Sequence, residues 1–145
     1  MSRARSAARL AAVQALYQQE MEGTALAPLL HEFHMHRLGA TIEDETYAEA
    51  EVDFFNDVVK GVDARRDEID ALIAGNLAEG WAIDRLDRPL RQILRAGAYE
   101  LLARADIPTG SIINEYLDVA HAFYDKKEKG FVNGVLDAIA RAARG

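Results

Sequence analysis

Apolar residues in this chain recur at the three- and four-residue spacing of an α-helix from one end to the other. Leu10, Val13, Leu16, Tyr17 and Met21 form one such stripe, and Val132, Val135, Leu136, Ile139 and Ala143 form another. Alternating Val/Ile/Thr runs are missing, and Asn133-Gly134 lies inside a helical pattern rather than between strands. Ala, Leu, Arg and Glu dominate, so propensity agrees with period. Pro28, Pro89 and Pro108 stand near expected helix starts, where a missing N–H costs little. An all-α fold follows.

The first helix is predicted over about Ser6 to Met21, stopped by Gly23. Thr24 caps a second, running through Leu29, Leu30, Phe33 and Leu38 to Gly39. Thr41 or Asp44 opens a third, with Tyr47, Phe54, Phe55, Val58, Val59 and Val62 on one face and a break at Gly61. Ile69, Leu72 and Ile73 continue the pattern beyond it. Gly75 and Gly80 then bracket a loop carrying Trp81. Asp87 caps a helix lined by Leu90, Ile93, Leu94, Gly97 and Leu101, and Asp106-Ile107-Pro108 stops it, because the residue before proline avoids helical geometry. Ser111 caps the next, which carries Ile112, Ile113, Tyr116, Leu117 and Ala120. Asp125 to Gly130 reads as a charged loop before the last helix. Six or seven helices in a bundle result. Trp81 and Tyr99 read as core aromatics, Gly97 and Gly134 as points of close helix approach. Asn114, Glu115 and Asn133 read as polar ties between helix ends.

At 145 residues and 16.0 kDa, with 50% hydrophobic and 28% charged residues, the composition is that of one soluble globular domain. Cysteine is absent, which removes disulfides, thiolate chemistry and Cys-based metal sites and suits a reducing compartment. No apolar run is long enough to span a membrane and no signal core opens the chain, so a cytoplasmic location is expected.

Catalytic signatures are missing. His31, His34 and His36 do not have the two-histidine, one-turn spacing of a metalloprotease helix, because Met35 holds the required position. There is no Gly-x-Ser-x-Gly elbow and no Gly-rich phosphate loop. Glu43 to Asp57 reads as a solvated acidic face. Neither an enzyme nor a cofactor or metal is expected.

The net charge of −7 argues against a nucleic-acid partner, yet the cations are clustered. Arg3, Arg5 and Arg9 occupy the first helix, where free N–H groups and the dipole favour phosphate, and Arg5 and Arg9 share a face. Arg85, Arg88, Arg91 and Arg95 form a second basic group, the last three on one helical stripe; salt bridges to Asp84, Asp87 or Glu100 are an equal reading of it. Lys126, Lys127 and Lys129 precede Phe131, a cationic loop beside an aromatic of the kind that holds unpaired bases.

Four segments then carry a family resemblance. Arg5-Ser6-Ala7-Ala8-Arg9-Leu10-Ala11-Ala12-Val13-Gln14-Ala15-Leu16-Tyr17 resembles the opening helix of the transcription antitermination factor NusB family. Ile93 to Leu101 resembles its central LR-x-x-x-YEL segment, Asp106-Ile107-Pro108 with Ile113-Asn114-Glu115 its D-[IV]-P and INE stretch, and Phe131 to Asp137 its FVNGVLD signature. The resemblance implies two packed helical lobes within one domain (about 1–78 and 79–145). It also implies a non-enzymatic factor that grips single-stranded boxA RNA together with the small-subunit ribosomal protein NusE. That complex helps RNA polymerase and other Nus factors read through terminators in ribosomal RNA operons. By this likeness Arg3, Arg5, Arg9, Tyr17, Arg95 and Phe131 face RNA, whereas Arg88, Arg91, Tyr124 and Lys127 face the ribosomal protein. Two departures stand out: Ser6 and Ala7 interrupt the family's arginine run, and Lys127 replaces an acid common there. An RNA cytosine methyltransferase's NusB-like domain and a homodimeric interaction bundle are the alternatives.

Overall fold

The structure is a computed structural model that describes the backbone of residues 3–33 and 45–145 and the side chains of residues 4–33 and 52–145. Seven α-helices and no strand occur among the described residues: α1 (Arg3–Glu22), α2 (Leu26–Phe33), α3 (Glu45–Ala64), α4 (Arg66–Ala74), α5 (Arg88–Ala103), α6 (Thr109–Phe123) and α7 (Lys126–Arg144). A single 3-10 turn, Ile83–Arg85, precedes α5.

Helix α1 runs through the middle of the molecule, touching α2, α3, α5 and α6. Its buried face is built largely of Ala4, Ala8, Ala11, Ala12 and Ala15, small enough to let neighbouring backbones approach closely. Gly23 ends it at φ 67°, a left-handed conformation that glycine adopts without a Cβ penalty. On one side, Phe33 of α2 stacks on Phe55 of α3, with ring centroids 5.5 Å apart. On the other, α5, α6 and α7 pack together, and α4 rests on α3, α5 and α7. One continuous apolar cluster, from Ala8 to Ala140, joins both groups.

Several local expectations shift. Helix α3 passes straight through Gly61, where an added Cβ would lie 2.2 Å from the Tyr99 ring; the glycine makes room for that ring, and the chain turns at Arg65 instead. Gly97 does admit a neighbour, since a Cβ there would meet Leu136 Cδ2 at 2.9 Å, but Gly134 faces open space. Helix α6 starts at Thr109 after Pro108, ahead of Ser111. Asp125 is extended and α7 begins at Lys126, so the expected charged loop is largely that helix's first turns. Asn114 and Asn133 are exposed, leaving Glu115 as the buried-side polar tie of that trio. Trp81 is 54% exposed rather than core.

The carboxyl ends of α5 and α7 are joined by Arg144, whose guanidinium donates to the backbone oxygens of Leu101 (2.8 Å), Arg104 (2.7 Å) and Ile107 (2.8 Å). Leu101 and Arg104 present carbonyls that the end of α5 leaves without intrahelical partners, and Ile107 lies in the loop beyond it.

Candidate nucleic-acid and protein interface

Arg9, expected to touch phosphate, is fully buried. Its Nε and Nη2 donate to the two carboxylate oxygens of Glu100 on α5, each at 2.9 Å, and its Nη1 donates to Glu115 Oε1 on α6 at 2.8 Å. Ser6 Oγ donates to the same Glu115 oxygen at 2.6 Å, and the Tyr116 hydroxyl donates to Glu100. Burial alone would lower the Arg9 pKa, but the Glu100 hydrogen bonds and charge outweigh it and raise the value. Burial, reinforced by Glu100, pushes the Tyr116 phenol up as well. Two acids of the family-like segments, in Tyr99-Glu100-Leu101 and Ile113-Asn114-Glu115, therefore serve as acceptors for α1.

Arg95 is likewise buried, and Arg91 half-buried. Arg95 donates from Nε and Nη2 to Asp70 of α4 at 2.8 and 2.9 Å and from Nη1 to Glu20 of α1 at 3.2 Å. Arg91 Nη1 reaches the same Glu20 oxygen at 2.8 Å. Arg88, exposed, stands 3.5 Å from the other Glu20 oxygen and donates to Met21 Sδ. The arginine stripe of α5 thus clamps α1 and α4, through Glu20 and Asp70 rather than through Asp84, Asp87 or Glu100. A helix stripe specifies a face, and here that face points at other helices.

The remaining predicted residues fall in three places. Arg5, half-buried, lies over the Phe54 ring at 4.6 Å, a ring also approached by Arg9 at 4.8 Å and Arg104 at 5.2 Å. Arg3 is helical, but its side chain lies outside the described residues, as do His34, His36 and the acidic side chains of 43–51. Among the described residues no group of acids and histidines could hold a metal ion, and no helix is long and apolar enough to cross a membrane. Tyr17, 37% exposed, lines an open groove of about 690 Å³ with Met21, Phe33, Pro89 and Phe123.

Phe131 and Lys127, assigned above to RNA and to protein respectively, share a second groove of about 300 Å³. Trp81 and Arg85 form its opposite side, and Asp87 and Glu128 complete it; the Trp81 and Phe131 rings are 6.3 Å apart. Tyr124 closes this end of the molecule by accepting a hydrogen bond from the Leu90 backbone N–H at 3.1 Å. Its phenol is raised, first by burial and then by the charge of Asp87. Sequence reasoning took Trp81 as a core aromatic and Arg85 only as a member of the basic group before α5, and assigned neither to this groove. The signal available was Gly80 directly before Trp81, at the end of a loop opened by Gly75.

Comparison with known proteins places this geometry. The NusB family model matches residues 6–141. The transcription antitermination protein NusB of Novosphingobium aromaticivorans is 66% identical over 142 residues, covering 98% of this chain and 96% of that protein. Its counterpart in Sphingopyxis alaskensis is 62% identical, covering 99% and 96%. These relatives therefore have no room for a methyltransferase domain beside the matched region. Among solved structures, T. maritima NusB superimposes with a TM-score of 0.81 at 33% identity, covering 97% of this chain and 93% of that one. A crystal structure of the antitermination factors NusB and NusE in complex with double-stranded RNA gives 0.80 at 30% identity, covering 98% and 99%.

Proposed function

The chain belongs to the NusB family, and on that premise we propose that it binds boxA-type single-stranded RNA jointly with the ribosomal protein NusE, promoting read-through by RNA polymerase in the cytoplasm. The observation that supports this most is the near full-length likeness to the NusB of a complex containing NusE and RNA. Within this reading Arg3, Arg5, Tyr17 and Phe131 contact RNA, and Arg88, Lys127 and the Tyr124 region meet the ribosomal protein. Arg9, Arg91 and Arg95 act instead as positioning residues that fix α1 and α5 relative to each other.

Physical chemistry favours joint binding. A chain of net charge −7 offers few phosphate contacts, so affinity alone is modest and strongly salt-dependent. A cationic second protein adds contacts and raises the effective affinity. The test is titration of a short labelled boxA RNA, with and without NusE, at two salt concentrations. Tighter binding of boxA once NusE is present is expected. Equal binding of a scrambled RNA under both conditions overturns the reading.

A further inference from the structure

We propose that the groove lined by Trp81 and Phe131 holds one unpaired base of the bound RNA, stacked on the exposed face of Trp81. This rests on the RNA-binding reading above and adds a residue and a ligand class to it. Trp81 is the most exposed of the large hydrophobic side chains among the described residues, whereas Tyr99 and Tyr116 are buried. Its position is built by the backbone: Gly80 takes φ 87°, Trp81 N–H donates to Ala78 O at 3.1 Å, and the Ile83–Arg85 turn follows at once. Such a loop holds a large ring in water beside Phe131, at an interplanar angle of 47°. The two rings touch each other, and that contact holds the Trp81 ring with its free face open to a third flat ring.

The charges around the groove match a nucleotide. Arg85 supplies a cation for its phosphate, and Asp87 and Glu128 supply acceptors for base N–H groups. Stacking on an aromatic next to a cation is the general means of holding single strands. At about 300 Å³ the groove suits one ring system better than a run of peptide.

Trp81 is the sole tryptophan of the chain, so its emission reports the groove directly. The experiment titrates the full chain with labelled boxA RNA, with NusE alone, and with both, reading RNA anisotropy and Trp81 fluorescence together. The expected result is a saturable change in Trp81 emission that tracks RNA binding. Trp81→Ala is expected to weaken binding by about tenfold, within the range for losing one base stack, and Trp81→Phe to restore most of it. Circular dichroism melts of both variants should match the parent. Unchanged emission, with Trp81→Ala binding RNA like the parent, overturns the inference while leaving RNA binding in place. An emission change caused by NusE alone overturns it in favour of a protein contact. No RNA binding by the parent, with or without NusE, overturns both this inference and the functional reading.

Discussion

The guanidinium of Arg9 and the carboxylate of Glu100 meet through two parallel hydrogen bonds of 2.9 Å, with neither side chain exposed to solvent. This bidentate pair fastens the central helix α1 to α5, and Glu115 extends it to α6. Removing one partner strands a buried charge, which commonly costs about 3–5 kcal/mol. Arg9→Ala is therefore expected to lower stability by roughly that amount in urea denaturation. Arg9→Lys keeps the charge but loses the paired geometry, and should fall between the two. A parent-like melt for Arg9→Ala would show that this ion pair does not hold the helices.

Arg5 differs from Arg9 in environment although the two lie one turn apart. Arg5 is half-buried over Phe54, near the amino end of α1. Arg5→Ala is expected to weaken RNA binding and to reduce the salt slope by about 0.7, the share of one single-strand phosphate contact. Its stability should fall by about 1–2 kcal/mol, the scale of a partly desolvated cation–π contact. Comparing log Kd against log salt for the parent and variant checks this. An unchanged slope would remove Arg5 from the RNA face.

How far the sequence could be read is clear from these two arginines. Spacing put both on one face of α1, and that was enough to predict a helix. It could not say which face meets other helices, because the acceptors Glu100 and Glu115 lie far along the chain. The same holds for Arg95, whose acceptors Asp70 and Glu20 sit on two other helices. Stops written in local chemistry were legible: Gly23 closes α1, and the Asp106-Ile107-Pro108 segment follows the end of α5. The first turns of α7 were not, because local lysines and Gly130 argue for a loop. The buried stripe Val132, Val135, Leu136 and Ile139 further along recruits them into the helix. Trp81 was misjudged for a similar reason: aromatic size favours burial on average, and only the surrounding loop geometry exposes the ring.

Gly61 and Gly134 are both helical, yet they should respond to alanine with opposite signs. At Gly61 a Cβ would collide with the Tyr99 ring at 2.2 Å, so Gly61→Ala forces a shift in a packed ring. Overpacking of this kind costs about 1–3 kcal/mol. At Gly134 nothing lies within 4 Å, so Gly134→Ala gains helix propensity without a clash, roughly 0.5–1 kcal/mol in favour of folding. Chemical denaturation of the two single variants distinguishes them. A stabilised Gly61→Ala would mean that the ring can move aside freely.

Tyr99 predicts an alkaline transition. Burial first, then the hydrogen bond its hydroxyl donates to Asp57 Oδ1 at 2.6 Å, raise its pKa from 10.0 to about 12. A folded-state pKa above the unfolded value means that the folded chain keeps its proton longer. The stabilisation is complete below pH 10 and is lost as pH rises towards 12. A shift of this size corresponds to roughly 2–3 kcal/mol over that window. Tyr99→Phe removes the titrating hydroxyl, so its stability should be lower at neutral pH and should fall less steeply between pH 10 and 12. Buried Tyr116 remains in both proteins and supplies a common alkaline background. Urea midpoints measured across this range give the comparison, and identical pH slopes would locate the alkaline loss at Tyr116 rather than at Tyr99.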